Sequence, residues 1–166
     1  MPPRKQIEED VILDSAFEMT RASGFDSITA RSLAASLHCS TQPIYQAFAD
    51  MKALEKAVAQ KSFRFMLDQI HAAANADSLP RDLAFVLQYI HFALNETHLF
   101  RVIARNGLFA ADTAATADNV PRIDPKLLIF ANGIVFMSAF QSLQLSWDEI
   151  RRLVLAAYAD FRRERV

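Results

Sequence analysis

Glycine and proline, the residues that most readily reverse a chain, are scarce: three and six of them in 166 residues. A sandwich or barrel needs frequent tight turns, and many such turns demand a glycine or proline dihedral. Helices with few interruptions need neither, and abundant alanine and leucine favour them. An all-α fold is therefore expected. With 52% hydrophobic and 22% charged residues the composition is ordinary for a globular protein, which excludes an intrinsically disordered chain. The length suits one to two domains.

The 18 basic and 19 acidic residues nearly cancel, so bulk charge names no partner. A single cysteine excludes an internal disulfide and any multi-cysteine zinc site. The start, Met1-Pro2-Pro3-Arg4-Lys5, lacks the apolar run of a signal peptide. The longest apolar stretch, residues 127–140, is interrupted by Asn132, Gly133 and Ser138 and is too short to span a bilayer. A soluble cytoplasmic protein with no membrane partner is the expectation.

Hydrophobic spacing predicts the elements. Residues 7–23 carry Val11, Ile12, Ala16 and Met19 at helical intervals. Glu8, Glu9 and Asp10 stand where the positive helix end favours acids, and Gly24 reads as a left-handed stop. Thr29 suits the N-cap of a short helix over residues 30–37. After the break His38-Cys39-Ser40, a third helix is expected over residues 41–48, capped by Ser40 and tolerating Pro43 in its first turn. Asp50 should cap a long helix over residues 51–74. Further helices are expected over residues 81–95, from His98 to a stop at Asn106-Gly107, and over residues 125–143. The last follows a capping box, Ser146-Trp147-Asp148-Glu149, while residues 112–124 read as a loop. The architecture so read is an N-terminal three-helix domain, residues 1–52, and a C-terminal helical bundle, residues 53–166.

Two short helices joined by a three-residue turn match the helix-turn-helix, whose second helix can enter the DNA major groove. Ser40, Thr41, Gln42, Tyr45 and Gln46 would offer hydroxyl and amide groups there, while Ile44 and Phe48 point into the core. Glutamine can pair bidentately with adenine, and serine or threonine can bind several partners. Residues 1–64 carry eight basic and eight acidic side chains, yet residues 27–49 contain no acid, and Arg31 is their only charge. An anion meets no carboxylate along that stretch. Arg4, Lys5 and Lys52 flank it within reach of backbone phosphates. One alternative stays open at this point: the helix pair is mere scaffold in a protein-interaction or dimerisation module without sequence-specific DNA binding.

The run Ile12-Leu13-Asp14-Ser15-Ala16, Gly24-Phe25, Ile28-Thr29-Ala30-Arg31-Ser32-Leu33-Ala34, then Ser40-x-x-x-Ile44-Tyr45-x-x-Phe48-x-x-x-Lys52-x-Leu54 resembles the DNA-binding domain of TetR-family transcriptional regulators. The resemblance covers residues 8–56 without a gap. It implies that Thr29 and Arg31 contact the DNA backbone and that the third helix is the recognition helix. It also implies that Tyr45 and Lys52 contact phosphates. Three positions depart from the family pattern: His38 stands where glycine is favoured, Ala47 where a histidine or tyrosine often touches DNA, and Pro43 where serine or threonine is common. By the same resemblance the chain would be a one-component regulator, a repressor, binding a palindromic operator in double-stranded DNA as a homodimer.

The predicted helix over residues 125–143 is apolar all round, with Leu127, Leu128, Phe130, Ile134, Val135, Phe136, Met137 and Phe140. That is more than a small bundle can cover. Pairing it and the last helix with a second copy, through residues 125–165, makes a four-helix interface. The family resemblance further implies a small-molecule effector that enters the bundle and shifts the population away from the DNA-competent state. Phe85, Tyr89 and Phe92 form an aromatic face which, with Phe109, Phe130 and Met137, would line a cavity for an apolar or aromatic ligand. Tyr89 and His91 or His98 would be its polar anchors; the same face can equally be core or dimer surface. No His-Glu-x-x-His helix, glycine-rich phosphate loop or Gly-x-Ser-x-Gly elbow occurs. Neither an enzyme nor a metal or cofactor is expected.

Overall fold

The computed structural model describes residues 7–74, 78–107, 121–139 and 144–163. Among the described residues the chain is all-α, with eight α-helices and no strand. In chain order these are α1 (Glu9–Ser23), α2 (Ala30–Ser36), α3 (Gln42–Ala47), α4 (Met51–Ala74), α5 (Arg81–Asn95), α6 (Thr97–Arg105), α7 (Pro125–Ala139) and α8 (Trp147–Arg163), with a short 3-10 turn at Phe25–Ser27 after α1. The chain divides into two compact units. One takes in the described residues up to Arg64 and those from His98 to Gly107; the other takes in the remainder. The first unit takes in residues 7–52 together with residues 53–64 and 98–107, which the sequence reading gives to the C-terminal domain.

Apolar side chains at helical spacing build the first core. Ile12, Ala16 and Phe17 of α1, Leu33 and Ala34 of α2, and Ile44 and Phe48 around α3 are buried together with Leu54 and Val58 of α4. Leu99, Val102 and Ile103 give α6 a matching buried stripe. Burial of each large aliphatic side chain contributes about 1.5–3 kcal/mol. The two buried hydroxyls need no partner from another element: Thr20 Oγ1 donates to the Ala16 carbonyl at 2.7 Å and Ser62 Oγ to that of Val58 at 2.8 Å.

The helix ends follow local chemistry. Thr29 accepts from the Ser32 amide at 3.0 Å while Ser32 Oγ accepts from the Thr29 amide at 2.9 Å, a reciprocal capping box that starts α2. The α2 end satisfies its last carbonyls through the His38 amide, bonded to Ala35 O at 3.1 Å, and the Cys39 amide, bonded to Ala34 O at 2.9 Å. This is a Schellman closure, and His38 takes its left-handed position with φ of 52°. Asp50 Oδ1 accepts from the Ala53 amide at 2.7 Å, the expected cap of α4. Several boundaries differ from expectation by one or two residues, and two of the starts have a visible cause. Helix α1 starts at Glu9, two residues late, because the chain at Glu8 is extended (ψ 148°). Helix α3 is capped at Thr41, not Ser40, and without a side-chain bond, since Thr41 already has helical dihedrals (φ −72°, ψ −13°) that do not suit a capping side chain.

In the second unit α5 buries residues on both of its faces, among them Leu83, Val86, Leu87 and Ile90 on one side and Phe85, Tyr89 and Phe92 on the other. Helices α7 and α8 both pack on it. Helix α7 buries only Leu127, Ala131, Ile134 and Val135, leaving Ile129 72% and Phe136 64% exposed. Residues 140–143, expected to continue it, lie outside the described residues. Helix α8 opens on the expected capping box, in which Ser146 Oγ and its amide both donate to Glu149 Oε2, at 2.7 and 2.8 Å. Ile150 and Val154 of α8 are buried, whereas Leu153, which flanks that inward stripe, is 44% exposed. No described helix is long and apolar enough to cross a membrane.

Candidate functional site

Helix α3 is six residues long, and its two faces differ chemically. Ile44 and Phe48 face inward and are buried. Their burial leaves the polar face outward: Gln42, Tyr45 and Gln46 are exposed, as is Ser40 just before the helix, while Thr41 is half-buried. Tyr45 is 52% exposed, a large aromatic surface to leave in water. Pro43 sits in the first turn, where an amide donor is not needed. Arg31 on α2 and Lys52 at the start of α4 are also exposed. Thr29 is exposed, but its Oγ1 is engaged with Ser32 in the capping box. All eight polar residues singled out in the sequence thus belong to the first unit, and seven are solvent-exposed.

A groove of about 1130 Å³ runs beside α3. Ser40, Gln42 and Gln46 line it from the helix side and His38 from the turn. Glu8 and Glu9 line it from the start of α1. Sequence reading missed these two. The stretch from residue 27 to 49 is free of acids, but the tertiary fold returns two carboxylates to its edge from the start of α1. The only signal available was their place at the start of α1. Arg4 and Lys5, expected near the backbone phosphates, lie outside the described residues.

Several pairs tie the elements of this unit together. Ser15 and Ser36 hydroxyls meet at 2.9 Å between α1 and α2. Lys61 of α4 pairs with Asp14 of α1 and holds its ammonium 5.5 Å from the Phe17 ring centre. Arg105 of α6 binds Asp26 and Glu55.

The aromatic residues expected to line a ligand cavity are placed differently from one another. Phe85, Tyr89 and Phe92 are buried in the second unit. Phe85 packs edge-on against His71 at 6.3 Å and Phe92 against Phe65 at 6.1 Å. The Tyr89 hydroxyl donates to Asn132 Oδ1 at 2.7 Å, and burial holds its phenol well above the usual range. Phe130 is half-buried, edge-on to Phe161 at 6.3 Å, and Met137 is 44% exposed. Phe109 lies outside the described residues. His91 stacks edge-on to Trp147 at 4.9 Å, and His98 belongs to the first unit. A cavity of about 610 Å³ in the second unit is lined by other residues, including Asp82, Arg122, Tyr158 and Arg162. Among the described residues no group of three or more histidine, cysteine, aspartate or glutamate side chains could hold a metal ion.

Comparison with protein-family models and with curated proteins finds no match for this sequence.

Proposed function

We propose that the chain is a one-component transcriptional regulator of the TetR type, a repressor that binds a palindromic operator as a homodimer. The observation that carries this reading is the two-faced chemistry of α3. Ile44 and Phe48 anchor it inward, and Gln42, Tyr45 and Gln46 stand in solvent beside Ser40. Buried anchors fix the rotation of the rod, so the outward amides and phenol have a defined direction, as base readout requires. Gln42 and Gln46 are one helical turn apart and suit adenine edges; Tyr45 and Lys52 suit phosphates. Arg31 and Thr29 add backbone contacts from α2.

Two copies would present two such helices to successive half-sites, about one turn of duplex apart or somewhat more. The exposure of Ile129 and Phe136 on α7 supports self-association through residues 125–165. The reading includes a small apolar or aromatic effector, taken up by the second unit, that binds the DNA-incompetent state more tightly. It also puts the protein in the cytoplasm, at the nucleoid. The exposed α7 row equally favours a second reading, a helical dimerisation or interaction module without sequence-specific DNA binding.

Fluorescence anisotropy with the duplex upstream of the protein's own coding region decides between them. A regulator binds that duplex at least about a thousandfold more tightly than a scrambled one at physiological salt. Gln42→Ala and Gln46→Ala should each change base preference by about 1–3 kcal/mol at single positions. Equal affinity for both duplexes would favour the interaction module.

A further inference from the structure

The 610 Å³ cavity of the second unit is formed where the start of α5, the approach to α7 and the end of α8 come together. Its volume falls in the range of small-molecule sites. Two acids line it, and both are occupied. Asp82 accepts from the Tyr158 hydroxyl at 2.9 and 3.1 Å, and Asp124 Oδ1 accepts from the Lys126 amide at 2.9 Å. Asp82 also stands in the first turn of α5, where the helix end offsets its charge.

The two cations that line the cavity are in a different state. Among the described residues Arg122 makes no ion pair, and Arg162 makes none either; its Nη1 donates to the Tyr158 hydroxyl at 3.0 Å and its guanidinium stands 5.3 Å from the centre of that ring. Among the described residues no carboxylate pairs with either guanidinium, and each keeps most of its five donors for a further partner. Between them the wall is apolar and aromatic: Ile123, the Tyr158 ring and Phe161, which Phe130 supports edge-on. Unpaired guanidiniums beside a flat apolar wall match one kind of molecule. Its head must accept two parallel hydrogen bonds, and its body must prefer the wall to water.

We propose that this cavity binds a small organic carboxylate with a flat apolar body, its carboxylate held by Arg122 and Arg162 and its body against Phe161. The site is separate from Phe85, Tyr89 and Phe92, none of which lines it. It does not rest on the DNA-binding reading, and its test contains no DNA.

The test is calorimetric titration of the full chain with 2-naphthoate and, in parallel, with its neutral counterpart 2-naphthamide. Naphthoate should bind saturably at one site per chain and naphthamide at least roughly tenfold more weakly. Arg122→Gln and Arg162→Gln should each weaken naphthoate roughly tenfold or more. Arg163→Gln, which removes a cation already paired with Asp160 at 3.6 Å, should leave the affinity unchanged. All three positions are exposed, and coincident thermal transitions establish that the variants fold. Absent saturation, equal binding of acid and amide, or wild-type affinity in both lining variants would overturn the assignment.

Discussion

Arg105 grips Asp26 with both ends of its guanidinium, Nη1 to Oδ1 at 2.6 Å and Nη2 to Oδ2 at 2.8 Å, across 79 positions of sequence. The same Nη1 reaches Glu55 at 3.3 Å. The pair joins α6 to the turn after α1, and the Arg105 hydrogen bond holds the Asp26 carboxyl below its usual value of 3.8. A depressed carboxylate stabilises the folded state above the unfolded value, and that contribution is lost as pH falls through the folded one. Asp26→Asn should therefore lower Tm at neutral pH, and the gap from wild type should close as acid protonates Asp26. Both partners are exposed, so high salt should shrink the gap too. A gap that stays constant from neutral to strongly acidic pH would remove the pair from the account.

Gly24 adopts φ of 82° and ψ of 149°, a region nearly reserved for glycine, and an added Cβ would stand 3.1 Å from His98 Nδ1. Gly24→Ala should cost about 1–3 kcal/mol of unfolding free energy in urea. His98→Ala separates the two causes. In a double-mutant cycle, the steric part of the Gly24→Ala cost vanishes when the imidazole is gone, and the dihedral part remains. An unchanged cost in the His98→Ala background would assign all of it to the backbone.

Glu8 and Glu9 border the groove beside Gln42 and Gln46, so a duplex docked on α3 meets two carboxylates. On the DNA-binding reading, Glu8→Gln and Glu9→Gln should each tighten binding roughly two- to fivefold at low salt, with less effect at high salt. Lys52→Ala should weaken binding to every duplex and flatten the salt dependence by about one unit. Affinities indifferent to both changes would mean that the duplex does not approach along this edge.

Ile129 and Phe136 lie on one face of α7, 72% and 64% exposed, with Met137 beside them. Light scattering should report about twice the chain mass of 18.7 kDa. Ile129→Asp and Phe136→Asp should each return the mass to that of one chain without loss of helical signal, because neither side chain belongs to the core. A monomer at micromolar concentration in the wild type would leave the face without a self-partner.

Burial holds the Tyr89 proton in the folded state, whereas the unfolded chain releases it near pH 10. The folded state then binds more protons in alkali, so stability should fall as pH rises above that value. Tyr89→Phe should remove that part of the alkaline slope at a cost of about 1 kcal/mol at neutral pH, the worth of its bond to Asn132. Chemical denaturation across the alkaline range reads both quantities.

What the sequence could carry was local. The caps at Thr29, Asp50 and Ser146 were legible because each depends on residues within three positions of itself. The shared face of Phe85, Tyr89 and Phe92 was legible because all three stand in one helix. The exposed row of α3 followed from the inward spacing of Ile44 and Phe48. Contacts between distant segments were not legible. Nothing near Asp26 announces Arg105, nothing near Gln42 announces Glu8, and nothing near Asp82 announces Tyr158, 76 positions away. The aromatic stripe of α5 shows the same limit from the other side. Spacing reveals that Phe85, Tyr89 and Phe92 share a face, but only the neighbours decide whether that face holds a void or other side chains.

The turn between α2 and α3 closes over a histidine with φ of 52°, where a glycine would be at rest. An L-residue held there costs about 1–2 kcal/mol, so the loop carries a tension unrelated to any contact its imidazole makes. One substitution, His38→Gly, would release it and leave every outward-facing atom of the following helix untouched. The corner that aims α3 is thus the place where this molecule could be made sturdier without altering that helix's exposed face.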